Sequence, residues 1–191
     1  MDAKHLTSRC GQLYLDVHIQ VKLGIQKMKK ISSPLDLNGT GYCASFNFRK
    51  TARAVTRLYD AALEETGIRS TQFAILVGIA KNQPVSIGRL GDLLVIDSTT
   101  LTRSLRLLQK EGLLAISNRA AMRQRFLTVT PKGERVLARS LPAWRKAQER
   151  FVAAVGSEYW VDLRKELERL GHIAVDLEKL QKEVTALNSS Q

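Results

Sequence analysis

Cysteine is scarce in this chain, long apolar runs are missing, and so are the side-chain constellations that catalysis or metal binding needs. Two cysteines, Cys10 and Cys43, among 191 residues cannot build a disulfide framework and fit a reducing cytoplasm. The Asn38-Gly39-Thr40 sequon has no meaning in that compartment. No apolar run approaches the roughly 18 residues that a membrane span requires. Met1 to Gly11 is mixed polar, without the apolar block of a secretory signal. The three histidines, His5, His18 and His172, lie far apart. There is no phosphate-binding loop, no Cys-x-x-Cys, no nucleophile motif and no metal-ligand spacing, and Gly39-Thr40-Gly41 is a lone loop. An enzyme, a cofactor and a metal are therefore not expected.

Negative charge is also short. Against 30 Lys and Arg stand 18 Asp and Glu, leaving +12. Such an excess favours a polyanionic partner, nucleic acid or an acidic membrane surface. The hydrophobic fraction of 44% and the charged fraction of 25% are ordinary for a globular protein. The total alone leaves open a non-specific basic protein that acts on DNA or a membrane surface through charge. The placement of the charge speaks against that. Arg119, Arg123 and Arg125 cluster in a stretch with no acid between Asn118 and Leu127, whereas Asp162, Glu166, Glu168, Asp176, Glu178 and Glu183 are mixed with the lysines of the C-terminal stretch.

Two regions differ in period. In residues 1–42 the apolar residues Leu13, Leu15, Val17, Ile19, Val21, Leu23 and Ile25 alternate as in a half-buried strand, before Lys27 to Lys30 and Ser32-Ser33-Pro34 break the pattern. Two readings of this extension stay open: a poorly packed segment, with Met28 as an alternative start, or an arm that pairs across a dimer. From Phe46 the period is helical. Phe48, Ala52, Val55, Tyr59, Ala62 and Leu63 mark one helix face that ends near Gly67. A second helix is expected over 70–82. Ser86 can cap a short third with Ile87, Leu90 and Leu93 apolar. Asp97 or Ser98 caps a fourth, which buries Leu101, Leu105 and Leu108 and stops at Gly112. Residues 113–117 and 125–130 read as strands around a polar tip. Pro131 opens a long fifth helix, with Val136, Leu137, Leu141, Trp144, Phe151 and Val155 inward. A sixth follows Gly156 to about Val184 with Trp160, Leu163, Leu167, Leu170, Ile173, Leu177 and Leu180.

The fold expected is mainly α with a small two- or three-stranded β wing: a winged helix-turn-helix flanked by long helices. Its reading core is 70–130 within a domain spanning 43–185. The apolar stripes of 46–67, 131–155 and 157–184 exceed what three short helices can cover. A second copy is the simplest cover, through an interface of roughly 2,000 Å² or more.

The opening RKTARAVTRLYDAAL, the segment GIRSTQFAILVGIA, and above all DSTTLTRSLRLLQKEGLL followed by RQRFLTVTPKG resemble the MarR family of bacterial transcriptional regulators. The resemblance covers about Cys43 to Val184. It implies a cytoplasmic homodimer that binds a pseudo-palindromic double-stranded operator, as a repressor released by a small aromatic or lipophilic effector or by oxidation. The reading helix would present Ser98, Thr99, Thr100, Thr102, Arg103 and Arg106 to the major groove, with short hydroxyls near base edges and Arg103 able to pair with a guanine. In the wing, Arg119, Arg123 and Arg125 would meet phosphates and a minor groove. Arg123 matches the arginine of the family's Asp-x-Arg wing signature, but the aspartate is Ala121 here, which removes a carboxylate able to orient that arginine. An effector cleft would draw on Phe46, Arg49, Tyr59, Phe73 and Trp144, a set that suits an aromatic carboxylate or simply packs as core. Cys43 is the redox candidate, at a position where some relatives carry a reactive thiol, since helix N-termini favour thiolates in general.

Overall fold

The computed structural model describes residues 37, 39–119 and 124–189, with the side chains of Asn118 and Arg119 outside that description. The alternating segment 13–25, Cys10, Met28, Ala121 and Arg123 lie outside the described residues. Two compact units divide the chain, Met1–Phe46 and Asn47–Gln191. In the first, a 3-10 turn spans Thr40–Tyr42, entered through Gly39 at φ 82° and closed by the Cys43 N–H donating to the Thr40 carbonyl at 3.1 Å.

Helix α1 covers Ala44–Leu63. The helix-rich second unit then runs through α2 (Ser70–Asn82), β1 (Val85–Ser86), α3 (Ile87–Leu94), α4 (Ser98–Lys110), β2 (Leu114–Arg119), β3 (Gln124–Val129), α5 (Pro131–Val155) and α6 (Ser157–Asn188). The expected helices are all present, and their ends are set by the caps the sequence offers. Ser86 Oγ accepts from Arg89 N at 3.2 Å, and Thr130 Oγ1 accepts from Gly133 N at 3.1 Å. Of the two candidate caps for α4, Asp97 holds the position, its carboxylate accepting from Thr100 N at 2.9 Å.

The sheet order is β1-β3-β2, antiparallel throughout, with Ile116 opposite Leu127 and Val85 opposite Leu127 on the other side. The wing is thus three-stranded, its third strand formed by Val85 and Ser86 just before α3. A two-residue strand has no readable period. It is held by pairing, supported by Gln83 Oε1 accepting from Val129 N at 2.8 Å.

The core gathers Leu63, Phe73, Leu76, Ile79, Val85, Leu90, Leu101, Leu105, Leu108, Leu127 and Leu137 from every layer. Three expected inward positions differ, Leu93, Phe48 and Ala52. Leu93 is exposed and Leu94 packs instead, because α3 is only two turns long and its last residue turns back toward α2. Phe48 on α1 is also exposed, whereas Val55, Tyr59, Ala62 and Leu63 are half-buried or buried.

A candidate nucleic-acid interface

Helix α4 has two unlike faces. Leu101, Leu105 and Leu108 are essentially without exposure and pin it to the core. Ser98, Thr99, Thr100, Arg103 and Arg106 are exposed, and Thr102 is half-buried at the margin. The spacing of the leucines, every three or four residues, puts hydroxyls on the leading turn and arginines one and two turns later on the same open side.

The turn that presents α4 is tight. Val95 adopts φ 51°, closing α3 with its N–H donating to the Asp92 carbonyl, and Ile96 N donates to the Gly91 carbonyl at 3.0 Å. Gly91 makes the approach close: a Cβ would lie 3.2 Å from the Ile96 carbonyl oxygen, tighter than most contacts, and 3.5 Å from Leu101 Cδ2. Asp97, which caps α4, has its carboxyl held below the usual range by the hydrogen bonds from Thr100. It therefore stays charged and keeps the first turn closed in neutral solution.

The far end of α4 is tied to the wing. Gly112 takes φ 71°, so Leu113 N can donate back to the Leu108 carbonyl at 2.9 Å. Thr130 Oγ1 donates to the Gly112 carbonyl at 2.7 Å, and Lys132 Nζ to the Glu111 carbonyl at 2.7 Å. Reading helix, wing base and the start of α5 are thus one hydrogen-bonded joint. Arg125 is exposed at the start of β3. With Gln124 it borders a groove of about 470 Å³ whose other wall is Ser86, Ile87 and Gly88 at the start of α3. Arg119 contributes backbone pairing with Gln124, and Arg123 falls outside the described residues.

A second cleft, of about 580 Å³, opens between α1, α2, the end of α3 and α5. Tyr59, Phe73 and Trp144 line it, with Val55, Val77, Lys81 and Leu94. Phe73 and Trp144 stack with centroids 5.9 Å apart. Burial raises the Tyr59 phenol above its ordinary range, and its hydroxyl donates to Gln148. Phe46 and Arg49 are exposed on the earlier turns of α1 and are not among the lining residues. The cation at this cleft is Lys81, which sequence reasoning missed although Phe73, Val77 and Lys81 form an i, i+4, i+8 series along α2. Cys43 is exposed.

Among the described residues no group of three or more His, Cys, Asp or Glu could hold a metal ion, and no helix is long and apolar enough to cross a membrane. The MarR family model matches residues 68–118, from the end of the α1–α2 turn into β2. An uncharacterized HTH-type transcriptional regulator of Staphylococcus aureus is 31% identical over 102 residues, 53% of this chain and 70% of that protein. The structure is similar to that of the Mycobacterium tuberculosis transcriptional regulator MosR in complex with DNA, at TM-score 0.63 and 32% identity, covering 69% of this chain and 96% of that one. It is also similar to Staphylococcus aureus MarR in complex with salicylate and kanamycin, at TM-score 0.56 and 26% identity, covering 68% and 89%. With a pinned, arginine-bearing second helix and a wing joined to its end, the chain belongs to the MarR family of winged-helix transcriptional regulators.

Proposed function

We propose that this regulator is a homodimer that reads a pseudo-palindromic duplex operator and represses from it until a small effector enters the cleft. The observation that carries the reading is the division of α4: three leucines buried to the last few ångströms squared on one side, hydroxyls and arginines free on the other. In this reading Ser98, Thr99 and Thr100 approach base edges, Arg103 seeks a guanine, and Arg106, Arg119, Arg123 and Arg125 meet phosphates or the minor groove. The backbone N–H groups at the start of α3, beside Arg125, add a phosphate contact of the kind helix N-termini make. That MosR was solved in complex with DNA supports DNA as the partner.

The homodimer rests on apolar surface that one copy leaves uncovered. Leu167, Leu170, Ile173, Leu177 and Leu180 are each exposed by more than a third on α6, an amount a lone soluble chain does not carry without a partner surface. Two reading heads related by a two-fold axis would meet half-sites about one helical turn apart, ~34 Å. Effector release rests on the second cleft, whose aromatic wall and single lysine suit a small aromatic carboxylate. The salicylate complex of Staphylococcus aureus MarR supports that class.

Selection of bound duplexes from a random pool, followed by affinity against salt, tests the reading. A palindrome with half-sites one turn apart, bound far more tightly than random DNA, is expected. Absence of any enriched motif, with affinity that merely collapses as salt rises, would leave only a basic protein. For the effector, salicylate should lower operator affinity about 5–150-fold through a coupling of about 1–3 kcal/mol. Lys81→Gln should abolish that response while leaving operator binding intact. An unchanged response in the variant would remove Lys81 from the role.

A further inference from the structure

The outward face of α1 carries charge of one sign. Arg49, Arg53 and Arg57 stand four residues apart and so form one row along the helix, with Lys50 beside it. All four are exposed. The opposite face is turned to the protein, where Val55 and Tyr59 are half-buried and Leu63 is buried. No acid lies between Ala44 and Tyr59. The first, Asp60, is already committed to Ser70 N at 2.7 Å and to Arg69 at 3.5 Å. Like charges at i, i+4 repel, and among the described residues none of the four cations makes an ion pair. On α6 the cations are treated differently: Lys165 pairs with Asp162 at 3.2 Å and Arg169 with Glu166 at 2.7 Å. The positive excess is thus neutralised within α6 and left uncompensated on α1.

The row has the chemistry of a phosphodiester contact. A guanidinium fork matches two phosphate oxygens. Four helical residues rise about 6 Å, a step comparable with that between successive phosphates of one strand. Ala52 and Ala54 beside the row carry nothing that reads a base, so contact there is blind to sequence. A helix lying on a membrane sinks its apolar face into the bilayer, and that face of α1 is occupied by the protein.

The row is also remote from the reading helix. The first residues of α5 are bonded to the end of α4 and the wing. Further along α5, Arg139 donates to the Thr66 carbonyl at 2.6 Å, and beyond it Gln148 accepts from Tyr59. The two helices therefore run antiparallel. Lys132 to Gln148 spans about 24 Å of α5, and from Tyr59 the row leads on, away from the wing. A duplex laid across α4 and the wing leaves this row clear.

We infer that the outward face of α1 is a second DNA-binding surface, which holds the phosphates of another stretch of duplex without regard to sequence. One molecule then bridges two DNA segments, one read by α4 and one gripped by α1. The inference goes beyond operator reading and needs neither the effector nor the repressor role.

The test uses the full-length chain, a Lys50→Gln, Arg53→Gln, Arg57→Gln variant, and a charge-matched control, Lys165→Gln, Lys179→Gln, Lys182→Gln. Each is bound to an immobilised random-sequence duplex, and capture of a second, fluorescent duplex is measured against salt. Parent and control are expected to capture the second duplex. The α1 variant should hold the first and lose the second, by about tenfold or more in affinity at low salt. Capture by the variant equal to that of the parent overturns the inference, as does a parent that captures no second duplex. Equal loss in the control would assign the effect to net charge, and loss of the first duplex as well would make α1 part of the reading interface; either overturns a separate surface. Sedimentation and flotation with phosphatidylcholine–phosphatidylserine vesicles complete the set. A changed assembly state in the α1 variant alone would give the row to a second copy, and vesicle binding stronger than duplex capture would give it to lipid; both overturn the inference. Glutamine keeps helix propensity and the three positions are exposed, so circular dichroism should show unchanged helix.

Discussion

Gly133 has no room for a side chain. A Cβ there would lie 2.1 Å from the Leu113 carbonyl oxygen and 2.7 Å from Val129 Cγ1, where α5 crosses the end of β3. The obstacle is backbone, which cannot rotate away as a side chain would. Gly133→Ala should therefore cost at least the upper part of the roughly 1–3 kcal/mol usual for overpacking, read as a shift of the urea midpoint. A loss below about 0.5 kcal/mol, the range of a neutral surface change, would mean that the joint between wing and α5 is looser than described. Val95 is the opposite case. It is a β-branched residue held at φ 51° with its side chain 70% exposed, so it adds little packing and carries a left-handed backbone costing about 1–2 kcal/mol. Val95→Gly removes that strain and adds some entropy to the unfolded chain. The expected balance is between no change and a gain of about 1 kcal/mol. A clear destabilisation would show that Val95 packs against something its exposure does not reveal.

At the scale of elements, the α1–α2 corner adds polar contacts to the buried Leu63 and Ile68. Asp60 accepts from Ser70 N at 2.7 Å and pairs with Arg69 at 3.5 Å, while Arg139 of α5 reaches the Thr66 carbonyl at 2.6 Å. Burial pushes the Asp60 carboxyl up, but the hydrogen bonds from Ser70 and the adjacent Arg69 outweigh it, and the group ends below its ordinary value of 3.8. A carboxyl whose folded pKa is lowered stabilises the fold above its unfolded pKa and loses that contribution as pH falls through the folded one. Asp60→Asn should therefore be less stable than the parent at neutral pH, with the gap closing as acid is added below about pH 4. Urea midpoints measured between about pH 2.5 and 5 check this. A gap that stays constant would mean that the asparagine keeps the Ser70 bond and that charge adds nothing. The corner bears on function because it fixes α2, and α2 carries both Phe73 and Lys81 of the cleft.

At the scale of the whole molecule, DNA recognition and assembly are one question, since each copy offers one α4 and one wing. On the proposed interface, Arg125→Ala should lower affinity for every sequence and reduce the salt slope by about two, one phosphate contact for each copy. Arg103→Ala should instead relax preference at one base pair of each half-site, by about 1–3 kcal/mol of discrimination. Fluorescence anisotropy with operator, mismatched and random duplexes over a range of salt separates the two signatures. Both variants behaving as neutral surface changes would put DNA on another face.

Much of this protein follows from local sequence alone, because the interactions that set it are local. The six helices come from apolar spacing, and their ends from Ser86, Asp97, Gly112, Thr130 and Gly156, residues whose capping chemistry needs no distant partner. The two faces of α4 were legible for the same reason: a period of 3.6 residues already separates Leu101, Leu105 and Leu108 from the hydroxyls and arginines. What only the tertiary structure decided depends on residues far apart in the chain. The strand β1 exists because Val85 and Ser86 pair with Leu127 and Phe126, some forty residues away, and two residues carry no pattern of their own. That Val55, Lys81 and Leu94 line the cleft follows from how α1, α2, α3 and α5 cross and not from residue type. The short helix α3 packs a half-buried Leu94 against the core and leaves Leu93 exposed, because two turns are too few for period alone to say which of two adjacent leucines meets α2. Periodicity determines which side of a helix is apolar; only packing determines what meets it.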